Sequence, residues 1–182
     1  MAKYKLPERD IAFLDSLGTK WEAGSEGGMG YVIIYNVGID TDYYTIKGAG
    51  DKMNILLMLP PGYPNSQIDM ASFYPHLQAA DGHNIPNLHY TFYKVKGNEW
   101  QTWSRHRTGG DYWNPETDGI ASHLAYIDLF LQREVGFHSP EPVSSHLIST
   151  FVKKLGSGMK MLRFPEKSEK SKEKSRLIIH MG

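Results

Sequence analysis

The chain contains no cysteine in 182 residues. This excludes disulfides, thiolate metal sites and thiol nucleophiles, so covalent catalysis must use Ser, Thr, Lys, His, Tyr or a carboxylate. It also lacks a long apolar run. The longest, MNILLML at 53–59, is stopped by Pro60-Pro61, far short of a membrane-spanning helix. Nor is there an excess of charge of one sign. Twenty basic and twenty acidic residues cancel, which gives no electrostatic reason to expect nucleic acid or an anionic membrane as partner. The opening MAKYKLPERDIAFL lacks the apolar core and small-residue cleavage pattern of a secretion signal, so a cytoplasmic location is expected.

The remaining segments suggest an α+β domain. PERDIAFLDSL (7–17) predicts a short amphipathic helix that places Ile11, Leu14 and Leu17 on one face, with Pro7 suited to its first turn. GSEGGMG (24–30) reads as a flexible turn or loop. YVIIYNV (31–37), YYTIKG (43–48) and MNILLML (53–59) are β-branched or aromatic runs separated by Gly and Asp, spaced as an antiparallel meander. Residues 66–77 offer a fourth strand, and TFYKVKG (91–97) a short strand or hairpin arm. Asn114-Pro115 reads as an N-cap followed by a first-turn proline. Ile120, Leu124, Ile127 and Leu131 then supply the apolar face of a helix over roughly 115–133. The long irregular segment before it is the natural place for function. Residues 1–135 are read as the main domain. Residues 136–165 are an extension in which SSHLISTFVKKL (144–155) suggests a short helix. Residues 166–182, containing EKSEKSKEKSR, form a charged tail expected to be disordered.

Metal and phosphate chemistry find little support. Among eight histidines, His76, His83 and His89 lie close together but without the spacing of a ligand set. The glycine-rich stretches at 24–30 and 48–52 lack the Lys-Ser/Thr ending of a phosphate loop. Neither a metal nor another cofactor is expected.

The densest feature is GNEWQTWSRHRTGGDYWNP (97–115), where three of the four tryptophans, Trp100, Trp103 and Trp113, fall within fourteen positions. They read chiefly as anchors that tie a long loop onto a small sheet. Ser104 is the candidate nucleophile in this stretch. His106 lies two positions away, on the same side of an extended segment, with a side chain suited to proton removal near neutral pH. Arg105 or Arg107 is suited to stabilising negative charge or to meeting an acidic surface. The bland alternative is that Ser104 caps a turn while Arg105 and His106 are solvated.

The order of parts, with Pro60-Pro61-Gly62-Tyr63-Pro64-Asn65-Ser66, Asp69-Met70, Trp100-Gln101, Trp103-Ser104-Arg105-His106, Trp113-x-Pro115 and Asp118-Gly119, resembles the ubiquitin-conjugating enzyme fold. It resembles more closely that fold's bacterial branch, the prokaryotic family E of ubiquitin-conjugating-like proteins. The resemblance covers about residues 6–133. It implies an N-terminal helix, a four-stranded antiparallel meander, a long active-site loop and a C-terminal helix. It further implies an acyl carrier that accepts the C-terminus of a ubiquitin-like protein from an adenylating activating-type enzyme.

The family's catalytic cysteine lies several residues before the Trp-x-Pro, and Ser104, nine positions before Trp113, falls close to that slot. The family's His-Pro-Asn tripeptide has only a scrambled echo here, His83-Asn84-Ile85-Pro86-Asn87, which ends seventeen positions before Ser104. Two readings follow. In one, Ser104 holds the ubiquitin-like protein as an oxyester, with His106 as base and Arg105 assisting. In the other, the domain is inactive and docks its partners through Trp103, Arg107 and Trp113.

Overall fold

The computed structural model describes residues 4–48, 50–107 and 112–136, so the extension beyond Gly136 and the tail lie outside the described residues. Among the described residues two helices and eight strands follow one another. They are α1 (Glu8–Ser16), β1 (Trp21–Glu26), β2 (Met29–Gly38), β3 (Tyr44–Ile46), β4 (Lys52–Leu59), β5 (Ala71–Tyr74), β6 (Leu77–Ala79), β7 (Leu88–Val95), β8 (Asn98–Trp103) and α2 (Ile120–Gly136). The main sheet is six-stranded and antiparallel, in the order β1-β2-β4-β5-β8-β7, and β3 pairs with β6 in a separate two-stranded sheet.

The expected four-stranded meander is therefore corrected in two ways. YYTIKG leaves the sheet to pair with β6, and a hairpin over 88–103 extends the sheet on its far side. Much of the expected active-site loop is strand, since Trp100 and Trp103 both belong to β8.

The glycine-rich stretch at 24–30 is not a loop either. Only Gly27-Gly28 turn, both at positive φ (60° and 83°), closing a two-residue hairpin between Glu26 and Met29. Gly24 sits opposite Tyr31 on the neighbouring strand, where an added Cβ would come within 2.5 Å of the Tyr31 hydroxyl. Gly30 lies under the ring of Tyr4 in the same manner. These glycines make room for aromatic rings that cover the strand pair, and the pairing supplies the order that composition alone does not suggest.

The strand runs are apolar throughout because both sheet faces are buried. Val32, Ile34, Ile55, Leu57, Phe73 and Trp103 face the helices together with Leu14, Leu17, Leu124, Ile127 and Leu131. Tyr31, Ile33, Leu56, Val95 and Trp100 form a second cluster, with Tyr35, Met58, Tyr74 and Tyr93 packed around it. Burying each such side chain contributes about 1.5–3 kcal/mol.

Helix α1 turns inward through Leu14, with Leu17 just beyond its end, but Ile11 is exposed and the buried Asp10 takes part of the expected apolar face. Helix α2 starts at Ile120, five residues later than the predicted start. Asn114 does cap a turn, its Oδ1 accepting the Glu116 amide at 3.0 Å, but the first α2 amide, Ile120 N–H, is held by Asp10 Oδ1 at 3.0 Å. Tyr63–Pro64 and Tyr74–Pro75 are cis.

Candidate active site

Strand β8 delivers the site. Its register with β7 pairs Leu88 with Trp103, and the ladder continues one step further, where the Ser104 amide donates to the Asn87 carbonyl at 2.8 Å. The seventeen-residue gap between Asn87 and Ser104 is thus the length of a hairpin. The two residues are neighbours. Asn87 adopts a left-handed conformation, with φ of 60°, a region asparagine tolerates better than most residues.

From Trp103 onward, alternate residues lie along α2. Trp103 Nε1 donates to Glu134 Oε2 at 2.8 Å. The Arg105 guanidinium lies 4.8 Å over the Phe130 ring and 3.8 Å from Glu134 Oε1. The Arg107 guanidinium lies 4.9 Å over Tyr126 and 5.3 Å over Trp113. Residues 103, 105 and 107 therefore step along 134, 130 and 126. The match is geometric, because two residues of extended chain and four residues of helix each advance about 6 Å.

Ser104 and His106 hold the intervening positions, which in an extended chain project opposite to 103, 105 and 107. There His106 Nδ1 lies 2.8 Å from Asp69 Oδ1, on the loop before β5, and the His106 carbonyl accepts the Tyr126 hydroxyl at 3.1 Å. Among the described residues no hydrogen bond joins Ser104 to His106, and Arg105 is directed to α2 rather than to Ser104.

The three tryptophans go to three places. Trp100 packs in the second cluster, on the sheet face away from the helices, and donates to the Val95 carbonyl at 3.1 Å. Trp103 is buried beneath α2. Trp113 donates to the Pro64 carbonyl at 2.8 Å and lies near the Tyr63 ring, so the Trp-x-Pro segment is fastened to the PPGYP turn.

Two other described histidines, His83 and His123, stand elsewhere. His83 pairs with Asp81, and together with His89, Gln78 and Asn84 it lines a polar cleft over Leu77 and Ile85. His123 is 1% exposed on α2, its Nε2 3.4 Å from the Met70 carbonyl. Burial, and secondarily the positive charge of Arg107, push its pKa down to about 3, so it is neutral and not a surface base.

This has a consequence for stability. The folded pKa lies below the usual 6.5, so the unfolded chain binds the extra proton between these values. Its contribution is complete above about pH 6.5 and is lost as pH falls through the window towards 3, at up to about 1.4 kcal/mol per pH unit. Urea midpoints measured from pH 7.5 to 4.5 should fall more steeply for the wild type than for His123→Gln. Equal slopes would show that His123 does not couple folding to protons.

From sequence alone Asp69 reads as a solvated loop carboxylate sooner than as an orienter of a histidine, Asn87 is only a distant echo of the family motif, and Glu134 carries no signal of its own. The signals were the strand pairing that returns Asn87 to Ser104 and the four-residue spacing of Tyr126, Phe130 and Glu134 on α2. Among the described residues no group of three or more His, Asp or Glu side chains is placed to hold a metal, and no helix is long and apolar enough to cross a membrane.

A curled antiparallel sheet with both helices on one face, and a site at the end of its fifth strand in spatial order, define an α+β ubiquitin-conjugating-like domain. The family model for prokaryotic E2 family E matches residues 6–134, and the chain belongs to that family. Membership gives it an E2-like role in prokaryotic ubiquitin-like conjugation, with a ubiquitin-like protein and an activating enzyme as its general partners. No curated protein and no solved structure gave a match.

Proposed function

We propose that the protein is an oxyester carrier in a bacterial ubiquitin-like conjugation system. An adenylating activating-type enzyme presents the C-terminus of a ubiquitin-like protein as an activated acyl group. Ser104 Oγ attacks the acyl carbon, His106 takes the hydroxyl proton, and the new Oγ–C bond replaces the bond to the activating group. That group leaves and the proton is passed on. An amine on the target later attacks the ester, releasing Ser104 Oγ, which regains a proton, and leaving an amide.

The observation that carries this reading is the Asp69–His106 pair at 2.8 Å. The Asp69 carboxylate holds one ring nitrogen and leaves the other for the hydroxyl on the same side of the extended chain, the arrangement by which a base is oriented towards a serine. Arg105, stacked on Phe130, and Arg107, between Tyr126 and Trp113, hold the loop on α2. Trp103 and Trp113 anchor its two ends.

A second reading, a docking module without chemistry, is favoured by the lack of a hydrogen bond between Ser104 and His106 among the described residues. In that case residues 103–107 and 113 form a contact surface. The experiment is intact-mass analysis after co-expression with an activating-type enzyme and a ubiquitin-like protein. A Ser104-dependent adduct that resists thiol and yields to hydroxylamine supports the carrier. No adduct, with the complex still eluting together on a sizing column, supports the docking module.

A further inference from the structure

Helix α2 carries one acidic side chain whose contacts all lead to Ser104. Glu134 is only 8% exposed, two residues before the end of the described chain. Its Oε2 accepts the indole N–H of Trp103 at 2.8 Å, and its Oε1 accepts Asn87 Nδ2 at 3.3 Å, with Arg105 Nη1 at 3.8 Å. Trp103 and Arg105 are the residues on either side of Ser104, and Asn87 is the residue whose carbonyl holds the Ser104 amide. One carboxylate therefore fixes the residue before, the residue after and the residue across the strand from the candidate nucleophile.

We infer that Glu134 is the positioning residue of Ser104. This deepens the carrier reading and rests on it. A loop hydroxyl must be held to within a fraction of an ångström to react, and supporting side chains do this best from a rigid element, here a 17-residue helix.

The chemistry of the donor set says why the residue is an acid. Three donors converge, and a carboxylate, with only acceptor sites, receives all of them. A glutamine keeps one acceptor for Trp103 but turns an NH2 towards Arg105, which has no acceptor to offer. Holding an acid here is costly. Burial raises the Glu134 pKa above the ordinary carboxylate range, against the lowering effect of Trp103, Asn87 and Arg105.

The test follows from that donor set. Glu134→Gln and Glu134→Leu are made in the full chain. Urea midpoint, hydrogen exchange of the Ser104 amide by NMR, and the rate of adduct formation are measured for each. Glu134→Gln keeps the volume and the acceptor for Trp103, and is expected to stay folded with a urea midpoint close to that of the wild type at pH 7.5. Its Ser104 amide nevertheless exchanges several-fold faster and its adduct forms about tenfold more slowly, whereas Glu134→Leu shows larger changes in both. A merely structural role moves stability and rate together.

Exchange and rate within twofold of wild type in Glu134→Gln overturn the inference, and that variant decides alone if Glu134→Leu does not fold. If the wild type forms no adduct, the carrier reading falls, while exchange at Ser104 still decides whether Glu134 fixes that residue.

Discussion

Replacing Ser104 by alanine is expected to abolish the covalent adduct outright, and replacing it by cysteine to turn a thiol-resistant adduct into a thiol-labile one that forms faster. The two results together would identify the atom that carries the acyl group. A serine hydroxyl is almost wholly protonated at neutral pH, whereas a thiol is a few per cent thiolate and intrinsically more nucleophilic. On the proposed carrier reading, the wild-type serine therefore depends on its base. General base catalysis contributes about 10²–10⁴-fold, and His106→Ala should slow adduct formation by a factor in that range while leaving the fold intact.

Ser104→Cys should depend on His106 far less, because much of the proton removal is already done. On the same reading Asp69 acts only by orienting His106, and the pair is exposed, where such contacts are worth about 1 kcal/mol or less. Asp69→Asn is accordingly expected to cost tenfold or less. An adduct that survives in Ser104→Ala would sink the assignment and direct attention to another nucleophile. A Ser104→Cys variant that forms no adduct, although it binds both partners, would establish the docking module.

How much of this was legible in the sequence can be read from particular residues. The strand runs at 31–37 and 53–59 were, because each is long enough to fill both faces of a central strand and leaves no helical period. The face of α2 was, because four apolar residues recur at helical spacing. The start of α2 was not. Asn114-Pro115 carries a local capping signal, but the Ile120 amide is capped by a carboxylate from α1, 110 positions away, and no local pattern records that.

Residues 24–30 misled for a related reason. Glycine suggests freedom when read alone, yet Gly24 and Gly30 are spaces occupied by Tyr31 and Tyr4. The site was half legible. The i, i+2 relation of Ser104 and His106 follows from an extended chain. The convergence of Asn87, Glu134 and Asp69 upon them depends on a hairpin and on helix packing, so separation along the chain was a poor guide to distance.

The same long-range cap sets the largest stability effect. Asp10, 2% exposed on α1, accepts the Tyr63 hydroxyl at 2.6 Å through Oδ2 and the Ile120 amide at 3.0 Å through Oδ1. Its neighbour Arg9 donates to the carbonyls of Pro115, Glu116 and Asp118. Helix α1 thus holds the turn that leads into α2 and, through Tyr63, the turn on which Trp113 rests. The phenol is committed to this bond: burial, together with the Asp10 carboxylate, holds its pKa well above the ordinary tyrosine value.

Asp10→Ala removes a cap worth about 1 kcal/mol and leaves the Tyr63 hydroxyl buried without its charged acceptor, which costs about 1–3 kcal/mol more. The expected loss is about 3 kcal/mol, a large share of the roughly 5–15 kcal/mol by which domains are stable. Asp10→Asn, which keeps one acceptor, should lose clearly less.

Gly119→Ala tests the same joint from the other side. Its Cβ would lie 2.5 Å from Asp10 Oδ1, so the carboxylate must withdraw from the Ile120 amide or the turn must shift, at a cost of about 1–3 kcal/mol. The double variant Asp10→Ala/Gly119→Ala should then be less destabilised than the sum of the two, because the methyl enters space the carboxylate has left. Strict additivity in urea denaturation would show that the two residues do not share one joint.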